Sequence, residues 1–258
     1  MTDPTPLLHW TVVLCRTQGP VNLGMIMRLC GNVGINDLRL VDPLCSGADD
    51  DARRFANHAR ERLAAIPIYG SLSDAIADSQ LAIATTARVR DARFGSPLAL
   101  TEMSAAISER KASRVALVFG NEADGLTNDE LALCPLHLHL DTPGDYPSYN
   151  LAHAVAIVSH FACCLMEQTT VQSTDQQSAA PIALQKKLET YWLDSLERVD
   201  YFRGNRSREQ FAPHFAQLIH RLALSNEDAT VLLGCLAQGN YFAFQDKFLG
   251  DGSQDSAK

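Results

Sequence analysis

Short apolar runs alternate with helical patterns from residue 10 to about 168. WTVVLC (10–15) reads as a first strand, and NLGMIMRLCGNVG (22–34) then sets apolar residues at helical spacing and stops at Gly34. LRLVD (38–42) predicts a second strand, and DDARRFANHARERL (50–63) a helix with an acidic first turn. IPIYG (66–70) is a short strand, and SLSDAIADS (71–79) a small helix opened by a serine cap. LAIATT (81–86) and VALVFG (115–120) are compact apolar runs of the kind buried on both faces of a parallel sheet. Between them TEMSAAISER (101–110) is helical. TNDELALC (127–134) carries a capping-box pattern, LHLHL (136–140) reads as a last strand, and a long apolar helix is expected from about 148. The pattern predicts an α/β fold: a mostly parallel sheet with helices on both faces.

The pattern changes after residue 168. TTVQSTDQQSAA (169–180) is small, polar and aperiodic, and reads as a linker. Three helical patterns follow over 181–248, the second interrupted by Pro213, and the tail 249–258 is expected to be disordered. The expected layout is an α/β domain over 1–168, a tether, and a small all-α C-terminal extension.

Composition narrows the function classes. The chain has 258 residues, 46% of them hydrophobic, as expected for a folded domain with a sizeable core. No run of about 18 apolar residues predicts a membrane span, and the acidic N-terminus MTDPTPLLHW lacks the features of a secretory signal. Seven scattered cysteines with no CxxC pair predict reduced thiols, a cytoplasmic setting and no metal site. The net charge of −8 argues weakly against nucleic-acid binding, yet arginines cluster at 53, 54, 60 and 62, at 88, 90 and 93, and at 203, 206 and 208. Such clusters are either local phosphate-binding patches or solvated helix faces.

Open α/β sheets bind ligands beyond the carboxyl ends of their strands. Four loops there carry unusual residues: RTQGPVNLGMIMR (16–28), TTARVRDARFGSP (85–97), FGNEADGLT (119–127) and DTPGDYPSYN (141–150). Neither a G-x-G-x-x-G nor a P-loop pattern is present, so dinucleotide and Walker-type phosphate sites are unsupported. Asn22 reads equally as a helix cap or a substrate contact. Glu122 reads as a cap for the following helix or as an orienting carboxylate, and Ser148 and Asn150 as caps or site residues. His153 and His160 fall on an apolar helix, where packed or interface histidines are expected.

The clusters Asn22, Gly24, Arg28, then Phe119 to Leu126, then Pro147 to Leu151 occur in order in one α/β domain. Together they resemble the three motifs of the SPOUT superfamily of RNA methyltransferases, closest to its 2′-O-ribose, TrmH-like branch. TTAR after the fourth strand, the block VALVFG…GLTNDEL and the helical extension make the chain similar to the TrmJ type within that branch. The resemblance covers residues 10 to about 165, and only loosely the extension. It implies a deep C-terminal trefoil knot, a homodimer, S-adenosyl-L-methionine as methyl donor, and ribose methylation of tRNA at nucleotide 32. A ribosomal-RNA enzyme or an idle RNA-binding dimer of the same fold stay as alternatives. Carried over residue by residue, the resemblance implies catalytic roles for Arg28, Ser148, Asn150, Glu122 and Asn22. It implies a donor site at Thr85, Thr86, Ala87, Gly120, Leu140, Pro147, Ser148, Tyr149, Asn150 and Leu151. A tyrosine stands at 149, between Ser148 and Asn150, where the family has a small apolar residue.

Overall fold

The computed structural model describes residues 8–86, 96–168, 178–203 and 207–249. Ala87, one of the expected donor-site residues, lies outside them, as do residues 250–258 of the expected tail. The chain divides into two compact units, residues 1–183 and 184–258.

Among the described residues of the first unit, six strands form one parallel sheet, in the order β3-β2-β1-β5-β4-β6. They are β1 (His9–Cys15), β2 (Asp37–Val41), β3 (Ile68–Tyr69), β4 (Leu81–Thr86), β5 (Arg114–Phe119) and β6 (Leu136–His139). The helices are α1 (Pro20–Asn32), α2 (Asp50–Ala56), α3 (Arg60–Leu63), α4 (Leu72–Ala75), α5 (Met103–Glu109), α6 (Asn128–Ala132) and α7 (Leu151–Gln168). Successive side chains of a strand point to opposite faces, and both faces here are covered. Trp10, Val12 and Leu14 of β1 pack with Leu23, Ile26 and Met27 of α1 and with Val155 and Val158 of α7. Val13 and Cys15 pack on the other face with Leu72 and Ala75 of α4 and Leu131 of α6. This is why the strands read as continuous apolar runs rather than alternating ones.

Three local features depart from the sequence reading. The helix expected over 50–63 is broken: Asn57 takes φ 52° and a short 3-10 turn separates α2 from α3. Asparagine tolerates this left-handed conformation better than most side chains. α2 lies against Gly24 of α1, where an added Cβ would sit 2.3 Å from the Ala52 carbonyl oxygen. The long helix begins at Leu151 rather than 148, because Asn150 is its cap: its Oδ1 accepts from Ala152 N–H at 2.9 Å. Of the expected linker, 178–180 belong to the first unit: Ala179 and Ala180 are buried, and Ala179 N–H donates to the Lys111 carbonyl.

The second unit contains most of α8 (Ile182–Arg198), with α9 (Arg208–Leu222) and α10 (Asn226–Leu249). Its centre is aromatic. Trp192 meets Phe215, Phe211 stacks on Phe215, and Tyr201, Phe202 and Phe211 meet edge to face. Arg208 pairs with Asp194 and Glu197, and Arg203 with Asp200, so these two arginines of the 203–208 group are locally neutralised.

Candidate active site

The loops that follow β1, β5 and β6 meet the end of β4 at the carboxyl edge of the sheet, flanking the point where strand order reverses. A cavity of about 380 Å³ opens there. That falls within the range of about 300–1,000 Å³ common for ligand sites. Its wall combines Thr85 and Thr86 from β4, Phe119 to Leu126 after β5, and Leu140, Pro147, Ser148, Tyr149, Asn150 and Leu151 after β6. Every described residue expected at the donor site therefore lines it, as do Glu122, Ser148 and Asn150 of the expected catalytic set.

The turn after β5 is what shapes the floor. An added Cβ at Gly120 would lie 2.2 Å from the backbone of both Gly125 and Leu126, so only glycine lets the turn close on itself. Asn121 fixes this turn. Its Oδ1 accepts from Ala123 N–H at 2.7 Å, and its Nδ2 donates to the Arg16 carbonyl at 2.7 Å. Arg16, in a left-handed conformation at φ 50° just after β1, donates to the Gly125 carbonyl and pairs with Glu130. Sequence reading missed Arg16 and Asn121 as supports. The only local signal was the G-N-E-x-x-G turn itself, and the contact with β1 spans about a hundred residues.

At the rim, one hydrogen-bonded chain ties three loops. Glu122 accepts from the backbone N–H groups of Gln18 (3.0 Å) and Gly19 (2.9 Å) and from Asn22 Nδ2 (3.0 Å). Asn22 Oδ1 in turn accepts from Asn150 Nδ2 at 3.1 Å. Two expectations change. Asn22 is not a helix cap: α1 starts at Pro20 with Gly19 in the cap position, which places Asn22 in its first turn. Glu122 does not cap the following helix, which Thr127 and Glu130 cap reciprocally; it closes the amino end of α1 instead. A carboxylate there is favoured by the helix dipole and by the otherwise unpaired N–H groups. Partial burial pushes its pKa up, but the bonds from Asn22, Gln18 and Gly19 outweigh this and hold it below its ordinary value.

Arg28 stands apart from the cavity. It is exposed on α1, two turns beyond Asn22, and makes no hydrogen bond or ion pair with the described residues. Ser148 is likewise exposed and unbonded among them. Tyr149 is anchored at the mouth, its hydroxyl donating to the Asp141 carbonyl at 3.3 Å. His153 and His160 are both exposed, so neither is packed within this chain. Among the described residues no His/Cys/Asp/Glu group could hold a metal, and no helix is long and apolar enough to cross a membrane.

Fold and site together define an α/β protein with a cavity open at the carboxyl ends of its strands, between glycine-bearing loops. The chain belongs to the SpoU rRNA methylase family, whose pattern matches residues 9–160. It is 30% identical over 232 residues to the tRNA (cytidine/uridine-2′-O-)-methyltransferase TrmJ of Klebsiella pneumoniae, covering 88% of this chain and 94% of that one. The crystal structure of TrmJ from Zymomonas mobilis superposes with a TM-score of 0.72 at 24% identity, over 89% of this chain and 98% of that one. A structure described for 2-OH methylation of C/U34 on tRNA matches with a TM-score of 0.50 at 22% identity, over 62% of this chain and 97% of that one. These two likenesses establish the fold.

Proposed function

We propose that this chain transfers a methyl group from S-adenosyl-L-methionine to a ribose 2′-hydroxyl of tRNA, at nucleotide 32 of the anticodon loop, and works as a homodimer. The observation that carries the reading is the meeting of Thr85–Thr86, the Gly120 turn and Pro147–Leu151 around one cavity, with the Glu122–Asn22–Asn150 chain along its rim. The activity named for the Klebsiella relative supports the tRNA substrate. The trefoil threading implied by the motifs would run through these same segments.

The cavity fits the donor in chemistry as well as size. Phe119, Leu126, Leu140 and Leu151 offer apolar surface, and the turn at Gly120 offers backbone polar groups. When bound, the donor supplies a methyl carbon on a positively charged sulfur, which departs as a neutral thioether once the ribose oxygen attacks. The task left to the chain is alignment and help with the hydroxyl proton, which leaves as the new C–O bond forms. Alignment is worth roughly 7–11 kcal/mol in favourable cases.

Glu122 is poorly suited to take that proton, since its oxygens already accept three N–H bonds and its pKa is depressed. It orients Asn22, and through it Asn150. Ser148, with its hydroxyl uncommitted, is placed to hydrogen-bond the ribose. Arg28, unpaired and outside the cavity of its own chain, serves a phosphate of the RNA, reaching the site of a second copy. An arginine suits this task because its guanidinium stays charged and grips phosphate bidentately.

The test is methyl transfer from labelled S-adenosyl-L-methionine to unmodified bulk tRNA, with alkali-resistant linkages mapped. A resistant linkage at nucleotide 32 supports the reading in full. One at nucleotide 34 overturns the position and keeps the reaction. Absence of transfer, with donor binding confirmed, overturns the activity.

A further inference from the structure

The described arginines of the first unit fall into two groups. Arg16, Arg39, Arg110 and Arg114 each face a carboxylate within ion-pair distance. Arg28, Arg53, Arg54, Arg60 and Arg62 face none, and all five lie on α1, α2 and α3. Among the described residues Arg62 bonds to the side-chain and backbone carbonyls of Asn36 alone. The three helices form one surface. Gly24 seats α2 against α1, and the Arg62 guanidinium comes 3.6 Å from the Cβ position of Gly31. Arg28 lies between those two contact points along α1.

Arg28, Arg53, Arg54 and Arg60 are exposed. Phe55 stands beside them, 38% exposed, with the Arg54 guanidinium 5.9 Å from its ring centre. Three acidic side chains of this region, Asp49, Asp50 and Asp51, sit at the amino end of α2, where its dipole favours them, and a fourth, Glu61, lies between Arg60 and Arg62 on α3 without an ion pair to either. The arginines follow in the last turn of α2 and in α3. Five guanidinium groups without an ion-pair partner among the described residues thus share one surface of a chain whose net charge is −8.

We propose that the α1–α2–α3 surface is a phosphate-tracking face: it holds the backbone of the tRNA beyond the reacting nucleotide, with Arg28 at the edge nearest the chemistry. The inference rests on the methyltransferase reading above and adds to it a second contact area for the same RNA. Guanidinium groups spaced along helices contact successive phosphates and release condensed counterions, which makes affinity steeply salt-dependent while carrying little sequence preference.

The experiment compares wild type with R53E/R54E/R60E and R53K/R54K/R60K, all in the full chain. Affinity for unmodified tRNA is followed across salt concentrations, and methyl transfer at saturating tRNA alongside. The reversal variant is expected to raise KM for tRNA by about tenfold or more. Its slope of log affinity against log salt should be shallower by about 2–3, with donor binding and kcat unchanged. The lysine variant should keep most of the affinity, which separates a charge role from a packing role. Unchanged affinity and slope in the reversal variant would overturn the proposal. A wild-type chain that binds tRNA with a steep slope this variant abolishes, yet transfers no methyl, would overturn the reaction and leave the surface standing.

Discussion

Two polar networks lie at opposite ends of the same sheet, and they are built from different chemistry. Toward the amino ends of the strands, Asp37, Arg39, Asp78 and Arg114 form a run of ion pairs. Arg39 is only 7% exposed and forks onto both Asp37 and Asp78, while Thr11 donates to Asp37 and Arg114 to Asp78. At the carboxyl ends, Glu122, Asn22 and Asn150 use amides around one carboxylate, and the nearest motif cation, Arg28, is left unpaired. The amino-end network matches charge with charge and holds strands in register. Beside the carboxyl-end network the Ser148 hydroxyl and the Arg28 guanidinium have no partner among the described residues. The two networks differ in whether their cations are paired, which is the contrast expected if the first serves the fold and the second the proposed reaction.

The largest expected effect falls at the amino end. Arg39→Ala leaves Asp37 and Asp78 facing each other without their shared cation, and should cost about 2–4 kcal/mol in urea unfolding. That is below the full cost of breaking a buried pair, because water screens the half-exposed Asp78. At the carboxyl end, Glu122→Ala should leave unfolding free energy within about 1 kcal/mol while lowering kcat for methyl transfer about 10²-fold. Equal losses of stability and no loss of rate would erase the distinction between the two networks.

Acid should weaken the amino-end network. The hydrogen bonds from Arg39, the chief cause, together with its charge and a bond from Arg114, outweigh burial and hold the Asp78 pKa at about 2 instead of 3.8. A depressed carboxylate stabilises the fold fully above its unfolded value and loses that contribution as pH falls through its folded one. Stability should therefore decline between about pH 5 and 2. Asp78→Asn should flatten that part of the curve in unfolding measured against pH. The smallest effect is expected at Tyr149→Phe, which removes only the 3.3 Å bond to the Asp141 carbonyl. Steady-state kinetics should show donor KM within about threefold of wild type, since an exposed hydrogen bond contributes about 0.5 kcal/mol.

The same contrast explains what could be read from the sequence. Strands buried on both faces announce themselves as runs such as VALVFG, and the Thr127–Glu130 box is a local pattern that the structure reproduces. The residues around the cavity were legible because the motif loops stand at strand ends. The partners of those residues were not. Glu122 caps a helix that begins about a hundred residues earlier, and Arg39 meets Asp78 from a different strand connection. Such pairings depend on which strands become neighbours, which no local spacing encodes. The break at Asn57 was hidden for a related reason: 50–63 has good helical spacing, and the left-handed residue that interrupts it shows only in the backbone.

The central claim is that the Asn22 amide, joining Glu122 to Asn150, organises the chemical step. Single-turnover methyl transfer to unmodified tRNA by Asn22→Ala, at saturating donor, tests it most directly. The account predicts a chemical rate about 10²-fold below wild type with donor affinity preserved. A rate equal to wild type would contradict it and reduce the rim network to a helix cap.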